Sequence, residues 1–146
     1  MNDNLSATGY LHVIHTKEDN SVQEYMFPNL VVTTGRNFIA SRMSGASAAV
    51  MGWIAVGSGS TTPNLTDTTL QTEITRKATT VSGGTPSGNS VTFSVTLLPG
   101  EGTGNLYEAG ILNNSSGGTL LSRTTFGLIT KAAGDTLTIG WTITVN

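Results

Sequence analysis

From Ser90 to Leu97 every second residue is apolar: Val91, Phe93, Val95 and Leu97 alternate with Ser90, Thr92, Ser94 and Thr96. The carboxyl end repeats this, with Leu137, Ile139, Trp141, Ile143 and Val145 set between Thr136, Thr138, Gly140, Thr142 and Thr144. Successive side chains of a strand point to opposite faces, so each segment carries one apolar and one hydroxyl face. That pattern predicts antiparallel sheet with one side on a core. Weaker alternation marks 8–16 and 21–27, which flank Lys17-Glu18-Asp19-Asn20 as the turn of a hairpin. Leu30-Val31-Val32 and segments 50–56, 74–81, 105–113 and 119–126 read as further strands, separated by Gly- and Pro-rich punctuation. The expected fold is all-β: an antiparallel β-sandwich or jelly roll of about eight strands, formed by residues 8–146 as a single domain.

Residues 34–43 break the alternation. Phe38, Ile39, Arg42 and Met43 recur at helical spacing, with Thr33 or Thr34 as the expected cap and Gly45 as the expected stop. A short helix near residues 35–43 should plug one open end of the sandwich. Residues 1–7 are polar apart from Met1, Leu5 and Ala7 and carry no turn signal, so they read as a flexible arm that orders against a neighbour.

Closing 105–113 and 119–126 into a hairpin through Asn114-Ser115-Ser116-Gly117 sets Glu108 directly opposite Arg123. Opposite charges across a ladder stabilise it by about 0.2–1 kcal/mol. In this setting the pair reads as a register device rather than a site.

Composition then narrows the function. Only 11% of residues are charged, against about 25% in an ordinary soluble domain, and Thr, Ser and Asn supply the polar surface instead. Thr is β-branched and suits a pleated surface. The net charge is −2 and the basic residues are scattered, with Arg76-Lys77 the one adjacent pair, so no nucleic-acid partner is expected. The absence of cysteine excludes a disulfide framework and a thiolate metal site. Met1-Asn2-Asp3-Asn4 has neither the basic nor the apolar region of a secretion signal. No apolar run approaches the ~20 residues of a membrane span, so synthesis in a cytoplasm is expected, with no membrane partner.

Candidate chemistry is sparse. His12 and His15 lie three apart in an expected strand, which puts them on opposite faces and unable to share one ion. Gly57-Ser58-Gly59 is followed by Ser60-Thr61-Thr62-Pro63, without the Lys or further Gly of a phosphate loop, and reads as a corner. Asp67 and Glu73 are the middle carboxylates that share a neighbourhood, whereas glycan hydrolysis needs two facing each other at about 5–10 Å. No acidic ladder of the calcium-loop kind occurs. We therefore expect no catalytic residue, no cofactor and no metal site.

What remains is surface. Leu5, Tyr10, His12, Tyr25, Phe27, Met51 and Trp53 are the candidate protein-interaction residues, because the strands around them are apolar on both faces. Such strands must be covered on both sides, either by a second layer of the same chain or by a partner subunit.

The segment from Pro28 through Leu30-Val31-Val32-Thr33-Thr34-Gly35-Arg36-Asn37-Phe38-Ile39-Ala40 resembles the start of small phage virion proteins. So do Ile54-Ala55-Val56-Gly57-Ser58-Gly59, Asp67-Thr68-Thr69-Leu70-Gln71-Thr72-Glu73, Glu108-Ala109-Gly110-Ile111, Arg123-Thr124-Thr125-Phe126 and the closing Leu137–Ile143 run. Over nearly its whole length the chain is similar to tailed-bacteriophage capsid decoration (cement) proteins of the jelly-roll type, and to related tail-associated sandwiches. The resemblance implies a virion protein that bridges neighbouring capsomers and stabilises the shell, with itself and the major capsid protein as partners. A dimer is the expected self-assembly, ahead of a trimer. The alternative is a tail, baseplate or fibre sandwich that binds a host glycan through Tyr10, Trp53 or Tyr107, or binds another tail protein.

Overall fold

The computed structural model describes residues 5–146, and among them ten strands and one helix form a sandwich of two five-stranded sheets. The first sheet runs in the order β2 (Val22–Pro28), β1 (Ala7–Thr16), β10 (Thr136–Val145), β7 (Ser90–Leu97), β6 (Thr85–Ser87). The second runs β3 (Leu30–Val31), β9 (Leu120–Lys131), β8 (Gly104–Leu112), β4 (Trp53–Gly57), β5 (Glu73–Ala78), and every pairing in both sheets is antiparallel. The expected all-β sandwich is thus observed.

The alternating segments do what their pattern dictates. Leu11, Trp141 and Phe93 stand in one row across β1, β10 and β7, and Val13, Ile139 and Val95 in the next. These rows meet Ile54, Val56, Leu106, Ile111, Leu121 and Ile129 of the second sheet in one buried cluster. Full burial of each such aliphatic side chain contributes about 1.5–3 kcal/mol, offset by the entropy of ordering the chain. Trp141 lies wholly buried at the centre of this layer.

A smaller apolar cluster occupies the other face of the second sheet: Val32, Ala55, Leu70, Leu112 and Leu120, with Trp53 packed against it. Leu70 belongs to the long 58–72 connection between β4 and β5. The second cover over the Trp53 side is therefore the chain's own loop.

Two local expectations are corrected. The helix α1 spans Thr33–Met43 and its N-cap is Val32, with no side-chain cap. Val32 is buried and its N–H donates to the Leu121 carbonyl at 3.2 Å, so tertiary pairing on β9 starts the helix where a Thr cap was expected. The Thr34 hydroxyl turns instead to the Leu120 carbonyl at 2.8 Å. Gly35 permits this approach: a Cβ there would run into the Leu121 carbonyl. Phe38 and Ile39 pack on the main core, and the chain leaves the helix through Gly45 at φ +72°. The second correction concerns the arm. Residues 1–4 lie outside the described residues, but Ala7 already pairs with Val145, and Ser6 exchanges backbone hydrogen bonds with Asn146 at 3.1 and 2.7 Å. Residues 6 and 7 thus continue the register of β1 on β10. No helix of the described residues is long and apolar enough to cross a membrane.

Candidate interaction surface

The hydroxyl halves of the alternating strands gather on the outer face of the first sheet. Ser90 meets Thr144 at 2.8 Å, Thr92 meets Thr142 at 3.1 Å and Thr96 meets Thr138 at 3.2 Å, each a cross-strand hydroxyl pair between β7 and β10. Beside them on β1 and β2 the same face carries Tyr10, His12 and Ile14, then Val22, Glu24 and Met26. Tyr10, Val22 and Met26 are exposed, Met26 by 60%. His12 Nε2 lies 3.2 Å from Glu24 Oε2, the one contact between titratable side chains described on this face. The result is an open sheet face of neutral hydroxyls with a border of exposed apolar groups.

The candidate residues divide. Tyr10 and His12 sit on this face, and Leu5 stands exposed near the start of β1. Tyr25 and Phe27 point to the other side of β2, where they pack on the main core and stack, Tyr25 on Phe27 at 5.7 Å and Phe27 on Phe126 of β9 at 4.9 Å. This aromatic stack closes one flank of the sandwich while staying half-exposed. Met51 is not an interaction residue: it is 3% exposed and belongs to the main core, because it precedes β4 and turns inward over the 82–84 corner, with its carbonyl accepting the Gly83 N–H at 2.9 Å. Trp53 is half-buried beneath the chain's own loop. Phe126, Val22 and Met26 escaped the sequence reading. The signal for the last two was available, since they occupy the positions alternating with Tyr25 and Phe27.

Glu108 and Arg123 do meet, but not as directly opposed residues. Glu108 faces Thr125 and Arg123 faces Gly110, with register shifts between Leu106 and Glu108 and between Ile111 and Leu112. The pairing here stands two residues from the expected one, part of it from the irregularity near the hairpin end, which leaves both side chains on the same face as diagonal neighbours. Arg123 Nε donates to Glu108 Oε2 at 2.9 Å, and both side chains are buried. The Glu108 carboxylate also accepts the Gly59, Gln71 and Thr72 N–H groups at 3.1, 2.9 and 2.7 Å. Arg123 donates further to Asp67 at 2.9 Å and to the Thr61 carbonyl at 3.0 Å. One charged pair therefore anchors both ends of the 58–72 loop that covers the smaller apolar cluster. Its hydrogen-bonding capacity is spent on the fold.

A second polar node lies at the opposite end of β1. His15 faces inward and its Nε2 lies 2.8 Å from Asp135 Oδ2, both side chains nearly inaccessible, while His12 faces outward as the spacing requires. Asp135 also accepts the Ala132 N–H at 2.9 Å and the Glu18 N–H at 3.2 Å, tying the β1–β2 turn to the β9–β10 turn. The hydrogen bond from His15, then that from Ala132, holds the Asp135 carboxyl below its ordinary value. Nearby, Lys131 is wholly buried with its Nζ donating to the Leu98 carbonyl at 3.0 Å, and burial pushes its amine down against the opposing pull of Asp135 and Glu101.

Surface cavities of about 290–460 Å³ open at the two ends and along the second sheet, and neither Tyr10, Trp53 nor Tyr107 lines these. The most apolar of the smaller ones lies where α1 plugs the sandwich, between Phe38, Ile39, Val50, Val91 and Phe93. Among the described residues no three His, Cys, Asp or Glu side chains gather where they could hold a metal ion. No family model, curated protein or solved structure matches the chain.

Proposed function

We propose that this chain is a structural virion protein of a tailed phage, a capsid decoration protein that bridges neighbouring capsomers and stabilises the shell. The observation that carries the reading is the outer face of the first sheet: paired Ser and Thr hydroxyls bordered by exposed Tyr10, Val22 and Met26, with one His–carboxylate contact. Contacts built from neutral hydroxyls and apolar groups keep their strength at high ionic strength, where exposed ion pairs are screened. Individually weak contacts repeated over a symmetric shell sum through multivalency. The resemblance of the quoted segments to decoration proteins points the same way.

The reading of a tail or fibre protein that binds a host glycan needs an aromatic face and polar groups sharing a concavity. Tyr10 stands on an open sheet face and Trp53 is half-buried under a loop, so the geometry favours a broad protein contact. Mixing the purified chain with shells that lack it tests the choice. Co-sedimentation that persists in high salt and weakens in Tyr10→Ala supports decoration. Binding to isolated tails but not to shells overturns it.

A further inference from the structure

We infer that the β2 edge is a self-recognition strand, and that two copies of the chain join there antiparallel about a twofold axis through Tyr25. The inference concerns how the chain pairs with itself and does not depend on where in a particle it sits.

An exposed sheet edge invites pairing unless it is short, bulged, charged or covered. The other edges meet those conditions. β6 has three residues, one of them Pro86, and β3 has two. β5 carries Glu73, Arg76 and Lys77 and borders the bulge between Val56 and Gly57. The stretch of β9 beyond β3 is broken by the register shift opposite Tyr107. Among the described residues β2 alone presents a long regular edge strand, with seven residues, an unbroken register on β1, and Glu24 as its one charge.

The hydrogen-bond parity of that edge is fixed. Asn29 N–H donates to the Gly9 carbonyl at 3.2 Å and Lys17 N–H to the Ser21 carbonyl at 2.9 Å, so the odd-numbered residues of β2 exchange their bonds with β1. The backbone groups of Val22, Glu24 and Met26 point away from the sheet. A twofold pairing must set these residues against one another. Centred on Glu24, it would oppose two carboxylates; centred on Gln23, it would carry Met26 past the end of the second strand. Centred on Tyr25, Glu24 exchanges both backbone bonds with Met26 of the second copy, and no like charges meet. Tyr25 then faces Tyr25 of the second copy as a non-hydrogen-bonded pair, the closer kind, at a Cα separation of about 4.5 Å. The Phe126–Phe27–Tyr25 stack thereby continues across the axis, and the exposed Val22 and Met26 side chains of both copies form one patch. This complementarity of the strand to itself is the reason to assign a second copy as the occupant.

Sedimentation velocity over a concentration series tests the inference on the whole chain. The expected result is a concentration-dependent dimer. Because the Glu24 N–H points outward, Glu24→Pro should weaken the dimer roughly tenfold or more while melting remains near wild type. Met26→Glu, which sets two acidic residues opposite each other, should also weaken it, whereas Met26→Lys, facing Glu24, should preserve it. A wild-type chain that stays monomeric throughout overturns the inference, as does a dimer unaffected by Glu24→Pro. A dimer that responds identically to Met26→Glu and Met26→Lys overturns the Tyr25-centred register.

Discussion

Arg123 and Glu108 are diagonal neighbours on the β8–β9 ladder, with Nε 2.9 Å from Oε2 and both groups out of contact with water. The carboxylate also receives three backbone N–H groups from the loop above it. Removing either partner leaves the other charge buried without its counterpart, which costs about 3–5 kcal/mol. Arg123→Met and Glu108→Leu should each lower stability by that order in urea denaturation. The double substitution should cost clearly less than the sum of the two. Hydrogen exchange at the Gly59, Gln71 and Thr72 amides should accelerate in Glu108→Leu well before global unfolding. Unchanged protection of those amides would contradict the anchoring role.

Core and surface candidates separate by a simple comparison. Met51→Ala removes a side chain 3% exposed and should cost about 2–5 kcal/mol. Tyr10→Ala on the open sheet face should change stability by about 0.5 kcal/mol or less. Denaturant midpoints of the two variants check this directly.

The contact between Gly35 and the Leu121 carbonyl predicts that Gly35→Ala costs about 1–3 kcal/mol, although alanine is the better helix former. The substitution should also displace α1 and widen the apolar cavity it shares with Phe93 and Val91. Thermal melting and binding of an apolar fluorescent dye would report both effects.

The Asp135 node sets a pH dependence with a definite sign. Its carboxyl is lowered in the fold, chiefly by His15 and next by Ala132 N–H, so its contribution is complete above the unfolded value of about 3.9. It is lost as pH falls below that value and through the lower folded one. Asp135→Asn should therefore melt below wild type at neutral pH, with the gap closing under acid conditions. Asp19, through Ser21, and Glu101, through Lys77, shift in the same direction, so the variant retains part of the acid sensitivity. A gap constant from neutral pH into acid would contradict this assignment.

Physical causes decide which features were legible in the sequence. β7 and β10 were readable because a single apolar face forces strict alternation over many residues. β6 was not: Thr85-Pro86-Ser87 has no apolar pattern and is a strand only because β7 offers it an edge. The contact of Glu108 with Arg123 was legible from charge and hairpin spacing, but its register was not, because bulges insert residues without changing composition. The loop that the pair anchors left no trace, since its donors are backbone N–H groups that any residue supplies. Met51 was misplaced because apolar residues at a strand's entrance do not reveal which way they turn.

Cryo-electron microscopy of phage particles assembled in the presence of this chain is the decisive check of the proposed decoration role. The expected result is sandwich-shaped density repeated over the capsid lattice, seated where neighbouring capsomers meet and absent from particles that lack the chain. Density confined to the tail, or no added density on shells assembled with the chain present, would overturn that role.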